Sequence, residues 1–458
     1  MAHVLAYTSP ARGHLFPLVP ILDELRRRGH RVAVRTLASQ VPLMLARGFD
    51  AAAVSNRVEA VAHEDWRGRN PRQALAIAVR VMCTRAAHDA ADLHRAIDIE
   101  RPDAVLVDIN SWGALAAAER WGGPWAAFCP YPLALRSRDV PPFGPGLQPA
   151  RGPFGHARDR LLRPLVTGTI DKTMLPALNS VRVAMGTPPL DHADELFSRP
   201  RLLLYLTAEP FEYPRSDWPD NLVMVGPCAW EPPADPPPWL SSIDQPIVLV
   251  TTSSEYQNDD RLVTVAVQAL ADEPVHVVAT QPTSQGANHA VAGNAHVERF
   301  LAHGPVLGRA VCAVTHGGMG ATQKALARGI PVCVVPFGRD QLEVARRVQV
   351  AGAGTRLPAS RLRPDRLRRK VREAMTRTEG ARQVAAGFAA AGGATTAADA
   401  VENRLVTARP VRARPSLPAA QANGSTNPCQ THGSSASAPT AGASRSSNEA
   451  QRRVGDSS

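Results

Sequence analysis

The stretch Val311-Cys312-Ala313-Val314-Thr315-His316-Gly317-Gly318-Met319-Gly320-Ala321-Thr322 decides the fold class. An apolar strand-like run ends in three glycines, and a helical segment follows around residues 323–327. A strand that feeds a helix through a tight turn is the repeating unit of a parallel α/β sheet. The glycines let a ligand approach the backbone, and the free N–H groups of the helix start favour a diphosphate. His316 adds a hydrogen bond or a positive charge. Glycine spacing alone fits an empty strand-to-helix turn equally well, so the neighbourhood must decide.

About twenty residues downstream, Pro336-Phe337-Gly338-Arg339-Asp340-Gln341 closes the next strand and opens the next helix at the same C-terminal sheet edge, where open α/β sheets bind ligands. The carboxylate of Asp340 and the amide of Gln341 suit paired sugar hydroxyls, although Asp340 also fits a plain helix N-cap. Upstream, Arg299-Phe300-Leu301-Ala302-His303 offers an aromatic face for a base and a histidine to bond it, or else a core aromatic and a loop histidine.

Strand-like runs at 247–253, 275–280, 296–300, 311–316 and 332–337 make this second half α/β. The first half repeats the alternation, with runs at 3–9, 31–37, 103–108 and 126–130 and helical spacing of Leu15, Leu18, Val19, Leu22 and Leu25. Arg12-Gly13-His14 lies in the loop before that helix, and Asp108 ends a strand. Both positions fall at C-terminal strand edges, so contact between them would orient the imidazole as a general base near neutral pH. A helix-start histidine and a strand-end capping aspartate would carry the same residues.

The 458 residues exceed the roughly 300 that one core supports, and the expected fold is two doubly wound parallel-sheet domains facing a central cleft. Residues 1–226 form the first domain and 247–380 the second, joined by a linker at 227–246 rich in proline, with Pro232, Pro233, Pro236, Pro237 and Pro238. A helix is expected over 381–404. Residues 405–458 have almost no large apolar side chain and are expected to be disordered and dispensable.

Hydrophobic residues make up 44% of the chain and charged ones 20%, and no run approaches the roughly 18 apolar residues of a spanning helix. With no leader at the start, a cytoplasmic protein is expected. The net charge of +11 is concentrated late: residues 361–382 hold nine basic and three acidic side chains, without interleaved aromatics. That reads as a solvated helix face, so no nucleic-acid partner is expected. Arg158, Arg160 and Arg163 leave room for peripheral contact with anionic lipid. The six scattered cysteines have neither zinc-site nor disulfide-scaffold spacing, and no metal is expected.

In this order, Gly13-His14, the His316 glycine turn and Asp340-Gln341 resemble the family 1 glycosyltransferases of the GT-B fold, which include plant secondary-metabolite and actinobacterial macrolide enzymes, over about residues 1–404. The resemblance implies an inverting, metal-independent transfer from a UDP- or dTDP-sugar to a hydroxyl of a small, largely apolar acceptor, with no other cofactor. It implies His14 as base in the Gly13 acceptor loop, with Asp108 as its partner, and Phe300 where the family usually stacks a Trp on the nucleobase. His316, Gly317, Gly318, Met319, Gly320, Ala321 and Thr322 fall at the diphosphate turn, with Ser253 and Ser254 as a further phosphate contact. Asp340 and Gln341 fall at the sugar. It places the acceptor pocket within 58–80 and 143–188, and takes the 381–404 helix back across the first domain.

Two positions depart from the pattern. Ala321 stands where many relatives have Ser or Thr, leaving that hydrogen bond to Thr322 or to backbone. Lys324 replaces the usual ribose-binding Glu. A lysine cannot accept hydroxyl protons, though it can pair with phosphate or face solvent. These departures keep open a catalytically silent nucleotide-sugar-binding or partner protein, and the architecture keeps open a nucleotide-sugar epimerase.

Overall fold

A computed structural model describes residues 1–282 and 293–407. The first half holds strands β1 (His3–Tyr7), β2 (Arg31–Thr36), β3 (Asp50–Ala53), β4 (Ala104–Asp108), β5 (Trp125–Cys129), β6 (Leu202–Tyr205) and β7 (Leu222–Met224). All pairings are parallel, in the order β3-β2-β1-β4-β5-β6-β7. The second half holds β8 (Ile247–Thr251), β9 (His276–Thr280), β10 (Ala295–Glu298), β11 (Ala310–Thr315), β12 (Val332–Val334) and β13 (Gly354–Arg356), again all parallel, in the order β10-β9-β8-β11-β12-β13.

Parallel sheets covered on both faces need inner strands that are close to apolar throughout, as β4, β5, β6 and β8 are, whereas the edge strands β3, β10 and β13 are not. Within β1, Leu5 and Tyr7 join the core on one face of the sheet while Val4 and Ala6 join the other. Within β8, Ile247 and Leu249 pack on one side and Val248 and Val250 on the opposite side. Each buried Val, Leu or Ile contributes about 1.5–3 kcal/mol, so the two pairs of clusters are what hold the sheets rigid.

Helix Arg12–Arg27 follows β1 and buries Leu15, Leu18, Leu22 and Leu25, as the sequence spacing predicts, but Ala11 is its N-cap, so Arg12-Gly13-His14, expected in the loop before it, form its first turn. Helix Pro71–Glu100 starts where Asn70 accepts the Gln73 N–H and Pro71 takes the first turn, which has no need of its missing N–H. The glycine-turn helix is Met319–Leu326, starting several residues before the expected 323–327 because Gly318 is its N-cap.

The 227–246 segment is more than a spacer. Trp230 meets Phe16 edge to face with ring centroids 5.3 Å apart, and Leu240 and Ile243 are buried in the second core.

The helix expected over 381–404 is two helices, Thr378–Ala390 and Gly393–Val401, ending in a π-helical turn, Glu402–Val406. Gly392 (φ 80°) and Gly393 (φ 58°), the N-cap and the first residue of the second helix, lie in the left-handed region that a side chain resists. The break redirects the chain from the second half to the first. Ala381, Val384 and Phe388 pack in the second half's core, whereas Ala397, Ala398, Val401 and Leu405 pack with helix Arg12–Arg27. Leu405, expected to begin the tail, is buried; 408–458 lie outside the described residues.

Among the described residues no helix is long and apolar enough to cross a membrane. Cys129, Cys228, Cys312 and Cys333 are buried free thiols. In the basic stretch, Arg368 and Arg372 pair with Glu273. Arg158 bonds Asp159 and the Gln148 carbonyl, and Arg163 bonds the carbonyls of Arg138 and Val140.

Candidate active site

Both sheets reverse strand order at one place, and the site is built at those two places. β1 and β4 are neighbours with connections leaving in opposite directions, as are β8 and β11. Loops parting at such a switch point open a crevice at the C-terminal strand ends. His14 and Asp108 follow from the first pair, Ser253 and His316 from the second, and the segments that follow all four strands border one cavity of about 1410 Å³ lined by both halves.

On the first side, His14 Nδ1 lies 3.0 and 2.9 Å from the two oxygens of Asp108. Asp108 is fully buried and also accepts from Ser9 N, Ser9 Oγ and Asn110 N, which fixes the carboxylate. Burial disfavours the charged form of His14, but the charge and hydrogen bond of Asp108 outweigh it and raise the imidazole above its ordinary value. Burial likewise opposes ionisation of Asp108, and His14 with the Asn110 and Ser9 donors more than offsets it, so the carboxyl stays below its usual range. Tyr131 Oη donates to Asn110 Oδ1 at 2.7 Å, which turns the Asn110 amide nitrogen toward His14 Nε2 at 3.4 Å. With Nδ1–H pointing at Asp108, Nε2 is left as the acceptor on the cavity side.

On the second side, Gly317 (φ 98°) makes the turn, and a Cβ there would come within 2.9 Å of Gln341 Cβ. A Cβ at Gly318 would meet His316 Nε2 at 2.4 Å, so glycine is needed for the ring to lie where it does. Gly320 faces open space. The first intrahelical bond runs from Thr322 N to Gly318 O, which leaves the preceding N–H groups of Met319, Gly320 and Ala321 at the cavity. Burial lowers the pKa of His316 despite Asp259 nearby, so near neutral pH it supplies a hydrogen bond without the charge.

Thr322 does not replace the hydroxyl missing at Ala321. Its Oγ1 is fully buried against Thr315 Oγ1 at 3.0 Å, and neither it nor Gly317 lines the cavity. Ser253 is buried, its Oγ accepting from Glu255 N and Gln257 Nε2, while Ser254 is exposed at the cavity.

Phe300 is 59% exposed at the cavity rim. His303 is turned inward, its Nε2 3.1 Å from Thr280 Oγ1, and burial and then Lys324 push it down to about 4. Lys324 neither points to the diphosphate turn nor to solvent: its Nζ donates to Glu231 Oε2 at 2.9 Å. Asp340 occupies the N-cap position of helix Gln341–Val350, yet its side chain makes no capping bond, and burial pushes it up to about 6. Gln341 is buried and fully engaged, its Oε1 accepting from Phe337 N and Gly338 N and its Nε2 donating to Gln257 at 2.5 Å. It builds the loop that presents Asp340.

The match to known proteins is as specific as the geometry. Residues 264–403 match the erythromycin biosynthesis protein CIII-like C-terminal domain. Over 389 residues the chain is 32% identical to 4'-demethylrebeccamycin synthase of Lentzea aerocolonigenes, covering 81% of this chain and 91% of that protein. The chain is a family 1 natural-product glycosyltransferase. Its fold matches the crystal structure of the glycotransferase of kitacinnamycin (TM-score 0.68, 23% identity, 88% of this chain and 99% of that one). It also matches the glycosyltransferase VinC in complex with dTDP (TM-score 0.60, 22% identity, 87% and 99%). Both likenesses establish the GT-B architecture expected from the sequence.

Several residues at the glycosyltransferase's cavity carry no sequence signal of their own. Asn110 and Tyr131 orient His14, Glu231 reaches Lys324 from the proline-rich segment, and Asp65 of the first half holds Arg339 of the second. The apolar part of the cavity comes from helices Pro71–Glu100 and Pro153–Ala184, through Leu75, Val79, Met82, Ile170 and Met174, within or beside the two expected stretches. Among the described residues no group of three His, Cys, Asp or Glu side chains is placed to hold a metal ion.

Proposed function

We propose that this glycosyltransferase is an inverting, metal-independent enzyme that moves a sugar from a UDP- or dTDP-sugar to a hydroxyl of a small, largely apolar acceptor. The observation that carries the reading is the clamped His14, which lines the cavity with Nδ1 held by Asp108 and with Nε2 met by Asn110 Nδ2 only at the long distance of 3.4 Å, a contact that an acceptor hydroxyl can displace. The acceptor hydroxyl gives its proton to Nε2, its oxygen bonds to the anomeric carbon, and the bond from that carbon to the diphosphate breaks on the opposite face. One displacement inverts the centre. Asp108 is not available as the carboxylate nucleophile of a double displacement, because its oxygens are fully buried and occupied.

The leaving diphosphate gains charge at the start of helix Met319–Leu326, where the amides of Met319, Gly320 and Ala321 and the His316 ring are already oriented. The structure of VinC in complex with dTDP supports a nucleoside diphosphate as the donor's leaving group. Phe300 is available to stack on the base and Asp340 to accept from sugar hydroxyls. The apolar walls of the first half suit the acceptor.

The test is turnover of UDP-glucose and dTDP-glucose with aromatic hydroxyl acceptors in the presence of EDTA, with the product anomer read by NMR. An α-linked donor should give a β-glycoside. An α-glycoside would overturn inversion, and activity lost to EDTA would overturn metal independence.

A further inference from the structure

Helix Pro71–Glu100 presents Leu75, Ala78, Val79 and Met82 to the cavity at helical spacing, and the next residue on that stripe is Arg85. It is 9% exposed and lines the same cavity. Its Nη2 donates to the Val61 carbonyl, its buried Nε has no partner, and among the described residues it forms no ion pair. Asp89, one turn on, accepts from Tyr7 Oη at 3.1 Å. Burial pushes that carboxyl up to about 8, opposed by the Tyr7 hydrogen bond and the Arg85 charge, and no ion pair joins it to the guanidinium. Burial opposes the charge on Arg85, with Asp89 first and then Glu255 and Asp108 acting against that effect from beyond ion-pair distance, and Arg85 lines the same cavity as His14 and Asn110. An unpaired guanidinium among apolar walls is costly unless something that enters the chamber pairs with it.

We propose that Arg85 is an acceptor-binding residue that selects aglycones carrying an anionic oxygen, such as a carboxylate, in addition to the hydroxyl that is glycosylated. The proposal rests on the transfer reading above for the place of the acceptor. A planar guanidinium gives a carboxylate two parallel hydrogen bonds, and the apolar stripe beside it covers the ring system that carries the acid.

The test compares 6-hydroxy-2-naphthoic acid with its methyl ester, which keeps shape and carbonyl but loses the charge. Equilibrium binding is read by calorimetry on the full chain without donor, so the result does not depend on turnover. The wild type should bind the acid about tenfold more tightly than the ester. Arg85→Met should abolish the preference, and Arg85→Lys should keep part of it while guarding against a fold lost in the Met variant. Equal affinities in the wild type, no measurable binding of the acid, or an acid-to-ester ratio unchanged in either variant overturns the proposal. Failure of the transfer reading would show separately, as absence of glycoside from both compounds with a preference for the acid intact.

Discussion

Lys324 Nζ lies 2.9 Å from Glu231 Oε2, joining the glycine-turn helix to the proline-rich segment between the halves. Glu231 also accepts from His303 N and Gly304 N, so one carboxylate ties together the Lys324 helix and the turn after Phe300. Of the two readings open for Lys324, phosphate or solvent, the structure takes neither, and its ion pair lies within the protein. Burial opposes the charge on Glu231, but Lys324 and the two amides outweigh it and lower its pKa. Glu231→Gln and Lys324→Met should each destabilise the protein, with a coupling of about 1 kcal/mol in a double-mutant cycle by urea unfolding. Because the carboxyl is depressed in the folded state, the coupling is present above the ordinary glutamate pKa and disappears as pH falls through the lower folded value. A coupling of zero at pH 7 would return Lys324 to the surface or to phosphate.

His14→Ala should lower transfer by roughly 10²–10⁴-fold and leave nucleoside diphosphate affinity unchanged. The wild-type rate should rise with pH through the imidazole pKa, since only the neutral ring accepts a proton. Asp108 raises that pKa. Asp108→Asn should therefore move the acid limb to lower pH while cutting the plateau, a pair of changes visible in one pH–rate profile. A limb unmoved by Asp108→Asn would assign it to another group.

His14 and Asp108 were legible because residues just past apolar strands gather at one sheet edge wherever their strands are neighbours, as β1 and β4 are. The glycine turn was legible for the same reason. β3 (Asp-Ala-Ala-Ala) and the three-residue β7 and β13 carry too little branched or aromatic character to read as strands. β6 (Leu-Leu-Leu-Tyr) has no flanking signal that separates strand from buried helix. Glu231 and Arg85 look like ordinary surface charges in sequence. Their roles arise from what the fold puts opposite them: Lys324 lies 93 residues from Glu231, and no helical periodicity says which arginine faces a cavity.

Asp340→Asn should stabilise the protein while weakening the sugar donor. Burial raises the Asp340 carboxyl to about 6, so the folded state holds its proton to higher pH than the unfolded chain and loses stability as pH rises toward that value. The gain in the variant should be at most about 3 kcal/mol at pH 7 and vanish near pH 4. Donor titrations should show weaker binding of the intact nucleotide sugar and unchanged binding of the nucleoside diphosphate. Equal loss of both ligands would contradict a contact confined to the sugar.

Leu405→Ala should cost about 2–4 kcal/mol, because the side chain is buried with Val401 and Ala398 in the first half's core. Truncation after Thr407 should leave the melting temperature and turnover intact. Truncation after Ala391 removes helix Gly393–Val401 together with the Arg28 bonds to Asp399 and Glu402, and should lower both. A stable, active protein ending at Ala391 would show that the crossing helix is ornamental.

Arg339 bridges the cleft mouth, with Nη2 2.7 Å and Nε 2.9 Å from Asp65 and Nη1 3.3 Å from Glu255. Beside it Trp66 of the first half meets Tyr256 of the second edge to face at 4.9 Å. Asp65 is buried, so deleting its partner strands a carboxylate, and Arg339→Ala should cost about 2–4 kcal/mol. A second bridge lies elsewhere between the halves, where Glu343 accepts from Gly144 N at 2.7 Å and Gly146 N at 2.9 Å. The variant should therefore loosen one end of the cleft and keep the other. Amide hydrogen exchange should quicken in 60–70 and 253–258 while 144–148 keeps its protection. Arg339→Lys should restore the protection only in part, since an ammonium cannot reproduce the two parallel bonds to Asp65. Exchange that quickens equally in all three segments would mean that the halves part as a whole and that Arg339 is no local clasp.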